Sequence, residues 1–219
     1  FGTAAPEQHD ETTAGDHPGI VGSRLVRFRA SQAAVAVRGD LVGEDVLLDG
    51  ATQDSRATTP GCLFVPLVAE RDGHDFIRAA MEAGAGAHLT SGPAGPGTAI
   101  RVPDTAMALR TLGARARDST EAQVVGITGS VGKTSTKDLT AAVLARTGGT
   151  HAAVRSFNNE IGVPLTLLGA ADDARFLVVE MGARTEGDIA DLCAVARPDV
   201  GVMTTVAAAH TGVFGSRES

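Results

Sequence analysis

Residues 124–136 read Val-Val-Gly-Ile-Thr-Gly-Ser-Val-Gly-Lys-Thr-Ser-Thr, which is a short apolar strand, a glycine-containing turn and a Lys-Thr pair that opens a helix. Gly129 and Gly132 can adopt backbone angles that are closed to other residues, so successive N–H groups can converge on an anion. The helix that follows turns its positive dipole end toward the same point. This stretch therefore predicts a phosphate-binding loop between a strand and a helix.

The loop is a shortened variant of the general nucleotide-binding pattern. That pattern has its first glycine five positions before Gly132, where this chain has Ile127, so we expect Thr128-Gly129 to make the turn. Lys133 is expected to reach the outer phosphates of ATP, and Thr134 to bind Mg²⁺. The predicted nucleotide-binding residues are Thr128, Gly129, Ser130, Val131, Gly132, Lys133, Thr134 and Ser135.

The composition of the 219 residues is that of a globular protein, with 43% apolar residues. A net charge of −7 without a basic cluster argues against nucleic acid or an anionic membrane as a partner. No apolar run approaches the roughly 20 residues needed to cross a bilayer, and the first 19 residues lack a signal-peptide pattern. Two widely separated cysteines suit a reducing compartment. We therefore predict a cytoplasmic protein.

Two folded parts of the α/β class are predicted along the chain. Residues 1–24 show no periodicity and are interpreted as a disordered leader. Residues 25–117 are predicted to form a small α/β domain, which a charged linker at residues 115–121 joins to a second domain at residues 118–219. Short apolar runs in the first domain are Ala33–Val37, Val46–Leu48, Leu63–Val65 and Ala99–Val102, and helical patterns cover Asp75–Ala83 and Thr105–Ala116.

The second domain is predicted to contain a parallel sheet, because strands alternate with helices. Strands are expected at residues 124–128, 176–179 and 200–206, with helices at residues 133–146 and after a capping box made by Thr185 and Asp188. In such sheets the ligand crevice lies at the carboxyl ends of the strands. The loop after Thr128, the side chain of Glu180 and the segment leading to His210 should gather there.

Three groups of polar side chains at these ends have alternative interpretations. Glu180 is expected to emerge into solvent two strands from the loop, where it could bind Mg²⁺ or cap the next turn. His210 could be a hydrogen-bonded structural residue or a ligand. Residues 158–160, Asn-Asn-Glu, precede a glycine and an apolar helix, so they could cap that helix, contact substrate, or do both.

Several motifs in one order resemble the Mur ligase family, the ATP-dependent amide-forming enzymes of peptidoglycan synthesis. Within that family the chain looks most like the type that joins D-alanyl-D-alanine to UDP-N-acetylmuramoyl-tripeptide. The motifs lie at residues 54–56 (Asp-Ser-Arg), 63–65 (Leu-Phe-Val), 72–76 (Asp-Gly-His-Asp-Phe), 126–136, 158–166 (Asn-Asn-Glu-Ile-Gly-Val-Pro-Leu-Thr), 180–183 (Glu-Met-Gly-Ala) and 208–216.

The resemblance implies a small UDP-sugar-binding α/β domain followed by a P-loop NTPase-like domain with a parallel sheet. It also implies that a carboxylate of the tripeptide attacks the γ-phosphate of ATP, after which the dipeptide amine displaces phosphate. The catalytic residues would be Lys133, Glu180 and His210, and Thr134, Glu180 and His210 would bind Mg²⁺. Substrate would be bound by Ser55, Arg56, Asn158, Asn159 and Glu160.

The chain departs from the family pattern in three places. Thr205 stands where the family usually has Asn, and residues 66–71 are shorter than the corresponding segment and lack its glycine. No lysine follows Lys137, whereas the family has a carbamylated lysine and a C-terminal domain, so we expect an incomplete, truncated ligase with weak or no activity alone. Alternatives are a folylpolyglutamate synthase-like or secondary-metabolite ligase, a P-loop switch or kinase, and a catalytically silent nucleotide-binding module.

Overall fold

The N-terminal half of the described chain is built on a five-stranded mixed sheet. The computed structural model describes residues 27–206. The elements of this half are β1 (Arg27–Arg29), α1 (Ala30–Val37), β2 (Asp40–Val42), β3 (Leu47–Asp49), β4 (Ala51–Thr52), β5 (Leu63–Phe64), α2 (Ile77–Glu82), β6 (Ala87–Thr90), β7 (Thr98–Arg101) and α3 (Thr105–Ser119), with short 3-10 helices at Ser55–Ala57 and Gly73–Phe76. The strand order of the five-stranded sheet is β2-β7-β6-β5-β4, and within it only β2 runs antiparallel to its neighbour. Strands β1 and β3 pair separately as an antiparallel ribbon.

The C-terminal half is built on four parallel strands, which confirms the predicted parallel sheet. Its elements are β8 (Gln123–Thr128), α4 (Lys133–Leu144), β9 (Thr150–Ala152), α5 (Gly162–Leu168), β10 (Phe176–Glu180), α6 (Asp188–Ala196) and β11 (Val200–Met203). The strand order is β11-β8-β10-β9, so the loop that follows β8 leaves the middle of the sheet.

The segment Ala33–Val37, an apolar run interpreted as one of the strands of the first domain, is part of helix α1. Ala30, Ala33 and Ala34 are buried, which is helical spacing. The Gln32 side chain accepts a hydrogen bond from the backbone N–H of Arg29 at 2.8 Å and so stabilises the first turn. A short run of Ala and Val fits the periodicity of a strand as well as that of a helix. Burial of Ala30, Ala33 and Ala34 on one face favours the helix.

Helix α3 joins the two sheets. It continues to Ser119, so the segment 115–119 is helical and only residues 120–122 lie between this helix and β8. Arg110 forms an ion pair with Asp191 of α6 at 3.1 Å, and Arg117 forms one with Asp199 at 3.1 Å. The carboxylate of Asp199 also accepts a hydrogen bond from the N–H of Val124 in β8 at 2.7 Å. Polar contacts therefore fix α3 against the second sheet.

One hydrophobic core extends under both sheets. Its buried members include residues of the first sheet, of α3 and of the second sheet, among them Leu63, Leu89, Ile100, Leu109, Leu112, Val124, Leu177 and Val179. Cys62 is buried and Cys193 is partly buried, and both are free thiols. Across residues 27–206, no helix is both long and apolar enough to cross a membrane.

Candidate nucleotide and metal site

The loop between β8 and α4 has the backbone that its glycines predict. Gly129 has a φ of +133°, and Gly132, at the N-cap of α4, has a φ of +84°. A Cβ atom on Gly129 would lie 2.2 Å from the Thr204 hydroxyl oxygen, whereas a Cβ on Gly132 would meet nothing within 4 Å. Gly129 is thus required by packing inside the protein. Gly132 faces open space at the N-terminus of α4, where a phosphate would lie.

Residues Thr204-Thr205, directly after β11, hold the outer side of this loop. The Thr204 backbone N–H donates to the Thr128 carbonyl at 3.0 Å, and its hydroxyl donates to the Val131 carbonyl at 2.6 Å. The N–H of Ser130 donates to the Thr205 carbonyl at 2.7 Å. These contacts end β11 at Met203, earlier than the predicted strand, because the chain turns toward the loop. The sequence did not predict this role of Thr204 and Thr205, although paired threonines directly after an apolar strand are a signal for it.

Lys133 places its positive charge over the loop. Its ammonium donates to the Gly129 carbonyl at 2.6 Å and to the Ser130 carbonyl at 3.3 Å. An ammonium group has three N–H donors on a flexible stem and can move between carbonyl and phosphate oxygens. Lys133 and the first turn of α4 therefore face the same space with positive charge, as an outer phosphate requires.

Glu180, at the end of β10, is buried rather than emerging into solvent, with 1% of its surface exposed. It accepts a hydrogen bond from the Thr134 hydroxyl at 2.9 Å and one from the Asn158 side-chain amide at 2.9 Å. These two side chains cover it, which a sequence pattern cannot reveal. The prediction that Glu180 lies two strands from the phosphate loop was also wrong. Strand β10, which ends at Glu180, pairs directly with β8, the strand that precedes the loop.

The Thr134 hydroxyl and the Glu180 carboxylate fit a magnesium site. Mg²⁺ takes oxygen ligands and usually keeps several waters and phosphate oxygens, so one or two protein oxygens suffice. The described part of the chain contains no cluster of three or more His, Cys, Asp or Glu that could enclose a metal. Two protein oxygens leave ligand positions for phosphate oxygens and water, so the donor set suits a metal that is shared with a nucleotide. His210, the third predicted ligand, lies outside the described residues.

The loop before α5 carries the other predicted polar residues. The Asn159 side chain accepts hydrogen bonds from the backbone N–H groups of Gly162 at 2.9 Å and Ile161 at 3.3 Å, in the turn that leads into α5, which agrees with the helix-capping alternative. The backbone carbonyl of Asn158 accepts the N–H of Gly182 at 2.7 Å, so this loop is attached to the segment after Glu180. Glu160 is exposed beside them.

Ser55 and Arg56 follow β4 of the first sheet, whereas the phosphate loop follows β8 of the second. The Arg56 guanidinium donates to the two Asp54 carboxylate oxygens at 2.9 and 2.8 Å, and the Arg56 backbone N–H donates to Asp54 at 3.0 Å. These hydrogen bonds lower the pKa of Asp54 to about 2. The hydrogen bonds to Asp54 orient the Arg56 guanidinium. Because the Arg56 side chain is 88% exposed, it also remains accessible to an anion.

The family of the chain follows from its similarity to known proteins. The model of the Mur ligase middle domain matches residues 127–219. UDP-N-acetylmuramoyl-tripeptide--D-alanyl-D-alanine ligase of Escherichia coli K12 is 42% identical over 194 residues, which are 88% of this chain and 43% of that protein. This chain belongs to the Mur ligase family. The ligase of the same name from Bacillus subtilis is 36% identical over 202 residues, which are 89% of this Mur ligase chain and 44% of that protein.

Solved structures agree with this assignment. A crystal structure of MurF from Acinetobacter baumannii matches with a TM-score of 0.80 and 29% identity, over 89% of this Mur ligase chain and 44% of that one. MurF from Thermotoga maritima in complex with ADP matches with a TM-score of 0.67 and 34% identity, over 77% and 40% of the two chains. The Mur ligase chain thus spans less than half the length of the relatives that it matches.

Proposed function

We propose that this chain forms the UDP-substrate-binding and phosphate-binding parts of an ATP-dependent ligase that adds D-alanyl-D-alanine to UDP-N-acetylmuramoyl-tripeptide. The observation that carries the proposal is the contact of Thr134 with Glu180 beside a positively charged phosphate loop. The relatives named as ligases of this type support the choice of substrates. The proposed domain limits are residues 25–117 and 118–219, and the proposed location is the cytoplasm, where ATP is supplied.

The proposed reaction has two steps. A terminal carboxylate of the tripeptide attacks the γ-phosphorus of ATP and ADP leaves, which gives an acyl phosphate. The dipeptide amine then attacks the acyl carbon, and inorganic phosphate leaves as the amide bond forms. Negative charge accumulates on the transferring phosphoryl group, so positioned positive charge is the main source of catalysis.

Each residue of the site has a distinct task in this proposal. Lys133 and the N-terminal turn of α4 bind the outer phosphates. Thr134 and Glu180 hold Mg²⁺, which when bound neutralises charge on the phosphate oxygens. Asn158 orients the Glu180 carboxylate through its 2.9 Å hydrogen bond. His210 would support a second magnesium, and Asn159 and Glu160 would line the substrate side.

The UDP moiety is proposed to bind near the 3-10 helix that follows β4. Arg56 presents a planar fork of donors suited to a diphosphate, and Asp54 holds that fork in place. Ser55 adds a hydroxyl at the same helix. The N-terminal sheet would therefore hold the nucleotide sugar while the second sheet holds ATP.

Calorimetric titration of the 219-residue chain tests the proposal. We expect Mg·ATP to bind to the wild type and to lose most of its affinity in Lys133→Ala, while Arg146→Ala, an exposed basic residue after α4, retains it. UDP-N-acetylmuramoyl-tripeptide is expected to bind and a folate substrate to give no heat. Folate binding in place of the tripeptide would favour the folylpolyglutamate synthase-like alternative. Preference for GTP would favour a switch protein, and nucleotide binding that is indifferent to Lys133 would exclude the proposed site.

A further inference from the structure

Lys137 is a buried lysine on the phosphate-loop helix, with 2% of its surface exposed. Its ammonium donates to the backbone carbonyls of Ala153 at 2.7 Å and Arg155 at 2.9 Å, and it lies 3.0 Å from the carboxylate of Asp138. These three acceptors match the three N–H donors of an ammonium group. A charge is costly to bury without such partners, so the position is specific for an extended side chain with several donors.

The two carbonyls belong to the segment that leads into the Asn158 loop. Arg155 has a φ of +52°, a left-handed conformation that non-glycine residues rarely adopt. The contact of Lys137 with the Arg155 carbonyl is therefore made where the backbone is in an unfavourable conformation. Three residues further on, Asn158 donates its side-chain amide to Glu180.

A closed ring of contacts results. Helix α4 contacts Glu180 through Thr134, Glu180 contacts Asn158, and the loop of Asn158 returns to α4 through Lys137. Lys133 and Lys137 are four residues apart, so they lie on adjacent turns of one helix face. The two lysines of this chain thus have different surroundings, one over the phosphate loop and one inside the protein.

We propose that Lys137 is a positioning residue, which fixes the Asn158 loop so that Asn158 holds the Glu180 carboxylate in its metal-binding orientation. The inference rests on the proposed function of Glu180 as a magnesium ligand. The Lys137 ammonium contacts protein groups, namely the carbonyls of Ala153 and Arg155 and the carboxylate of Asp138. It acts through the Ala153 and Arg155 carbonyls, and its loss disturbs metal affinity before it disturbs the binding of nucleotide phosphates by the loop.

The test compares metal affinity in the wild type, Lys137→Met and Lys137→Arg. Mn²⁺ replaces Mg²⁺ and is titrated into the 219-residue chain with ADP, and free Mn²⁺ is measured by electron paramagnetic resonance. We expect Lys137→Met to raise the Mn²⁺ dissociation constant about tenfold, as is typical for residues that orient metal ligands. Lys137→Arg keeps the charge but not the compact donor geometry, and should recover part of that loss. Arg146→Met, which removes an exposed positive charge after the end of α4, is the control and should match the wild type.

Two further measurements separate positioning from a merely structural role. Circular dichroism melting identifies folded variants, and the ADP dissociation constant without metal should change less than twofold in Lys137→Met. In the Asn158→Ala background, Lys137→Met should add little further loss, because both changes act through the same carboxylate. A lower melting temperature with unchanged Mn²⁺ affinity would overturn the proposal, as would fully additive losses. Absence of Mn²⁺ binding in the wild type would instead refute the proposed magnesium site.

Discussion

Thr134 and Glu180 are 46 residues apart in sequence, yet the Thr134 hydroxyl donates a hydrogen bond of 2.9 Å to the Glu180 carboxylate. The contact joins the first turn of α4 to the end of β10, and it exists because β10 pairs in parallel with β8, the strand that leads into α4. Two oxygen donors are thereby held at the edge of a phosphate loop. This relationship places the proposed metal-binding pair at the edge of the proposed phosphate-binding loop.

Replacing Glu180 with glutamine should weaken metal binding while leaving the fold intact. Glutamine has nearly the same shape and can still accept the Thr134 hydrogen bond, but it carries no negative charge for Mg²⁺. We expect the Mg²⁺ concentration for half-maximal ATP binding to rise at least about tenfold. A fluorescent ATP analogue measures this cleanly, because the chain has no Trp or Tyr. Glu186→Gln, which removes the same charge from an exposed position, is the matched control, and an equal effect in both variants would refute a specific role.

The two glycines of the loop should respond differently to alanine. Gly129→Ala brings a methyl group against Thr204 as well as a strained φ, so we expect it to lower the free energy of unfolding by at least about 2 kcal/mol. In Gly132→Ala the methyl group has open space around it, so only the positive φ is unfavourable. We expect this variant to lower the free energy of unfolding by only about 1 kcal/mol. Both should weaken ATP binding, since the Gly132 methyl group would occupy space intended for phosphate. Urea unfolding followed by circular dichroism checks the order, and equal losses would contradict it.

Stability should decrease as the pH falls from 7.5 to 5.5, in part because of His88. This side chain is 0% exposed, its Nε2 lies 2.6 Å from the Ala94 carbonyl, and its Nδ1 is buried without a hydrogen-bond partner. Burial lowers the pKa of His88 below its usual 6.5, and the hydrogen bond to the Ala94 carbonyl opposes this shift only in part. The unfolded chain therefore binds a proton that the folded chain rejects, so the contribution of His88 is complete above pH 6.5 and is lost as the pH falls toward the folded pKa.

Urea unfolding at pH 7.5, 6.5 and 5.5 tests this prediction in the wild type and in His88→Gln. The variant, which cannot titrate, should show a weaker pH dependence in this range. Burial also lowers the pKa of His151, so some dependence should remain. Asp54, with a pKa of about 2, stays ionised throughout this range and affects stability only in stronger acid. Parallel pH profiles for the two proteins would contradict the role of His88.

Arg56→Ala should weaken binding of UDP-N-acetylmuramoyl-tripeptide without changing ATP binding. Loss of a charged hydrogen bond to a phosphate corresponds to roughly a tenfold loss of affinity. Asp54→Asn weakens the support of the guanidinium and should have a smaller effect in the same direction. Titration calorimetry with UDP-substrate and ATP separately measures both. A change confined to ATP would place the UDP site elsewhere.

Local sequence determined the strand, loop and helix of residues 123–144, because glycine freedom, apolar periodicity and the helix start all act within a few residues. The cap of α5 by Asn159 is local in the same way. Local pattern failed at Ala33–Val37, since five small apolar residues fit either a strand or a helix. Nor did it show that α3 continues through residues 117–119, because Arg110 and Arg117 of this helix pair with distant acidic residues.

By itself, the sequence determined the α/β class of the protein and the strand-loop-helix unit at residues 123–144, and it predicted Lys133, Thr134 and Glu180 as site residues. The tertiary structure alone decided that Glu180 is buried beside Thr134, that Thr204-Thr205 support the loop through backbone contacts, and that Lys137 is an interior residue. The physical reason is that strand order and hydrogen bonds between distant segments depend on packing of the whole sheet. The residues next to a position in the sequence therefore do not show which distant carbonyl it will contact or which side chains will bury it.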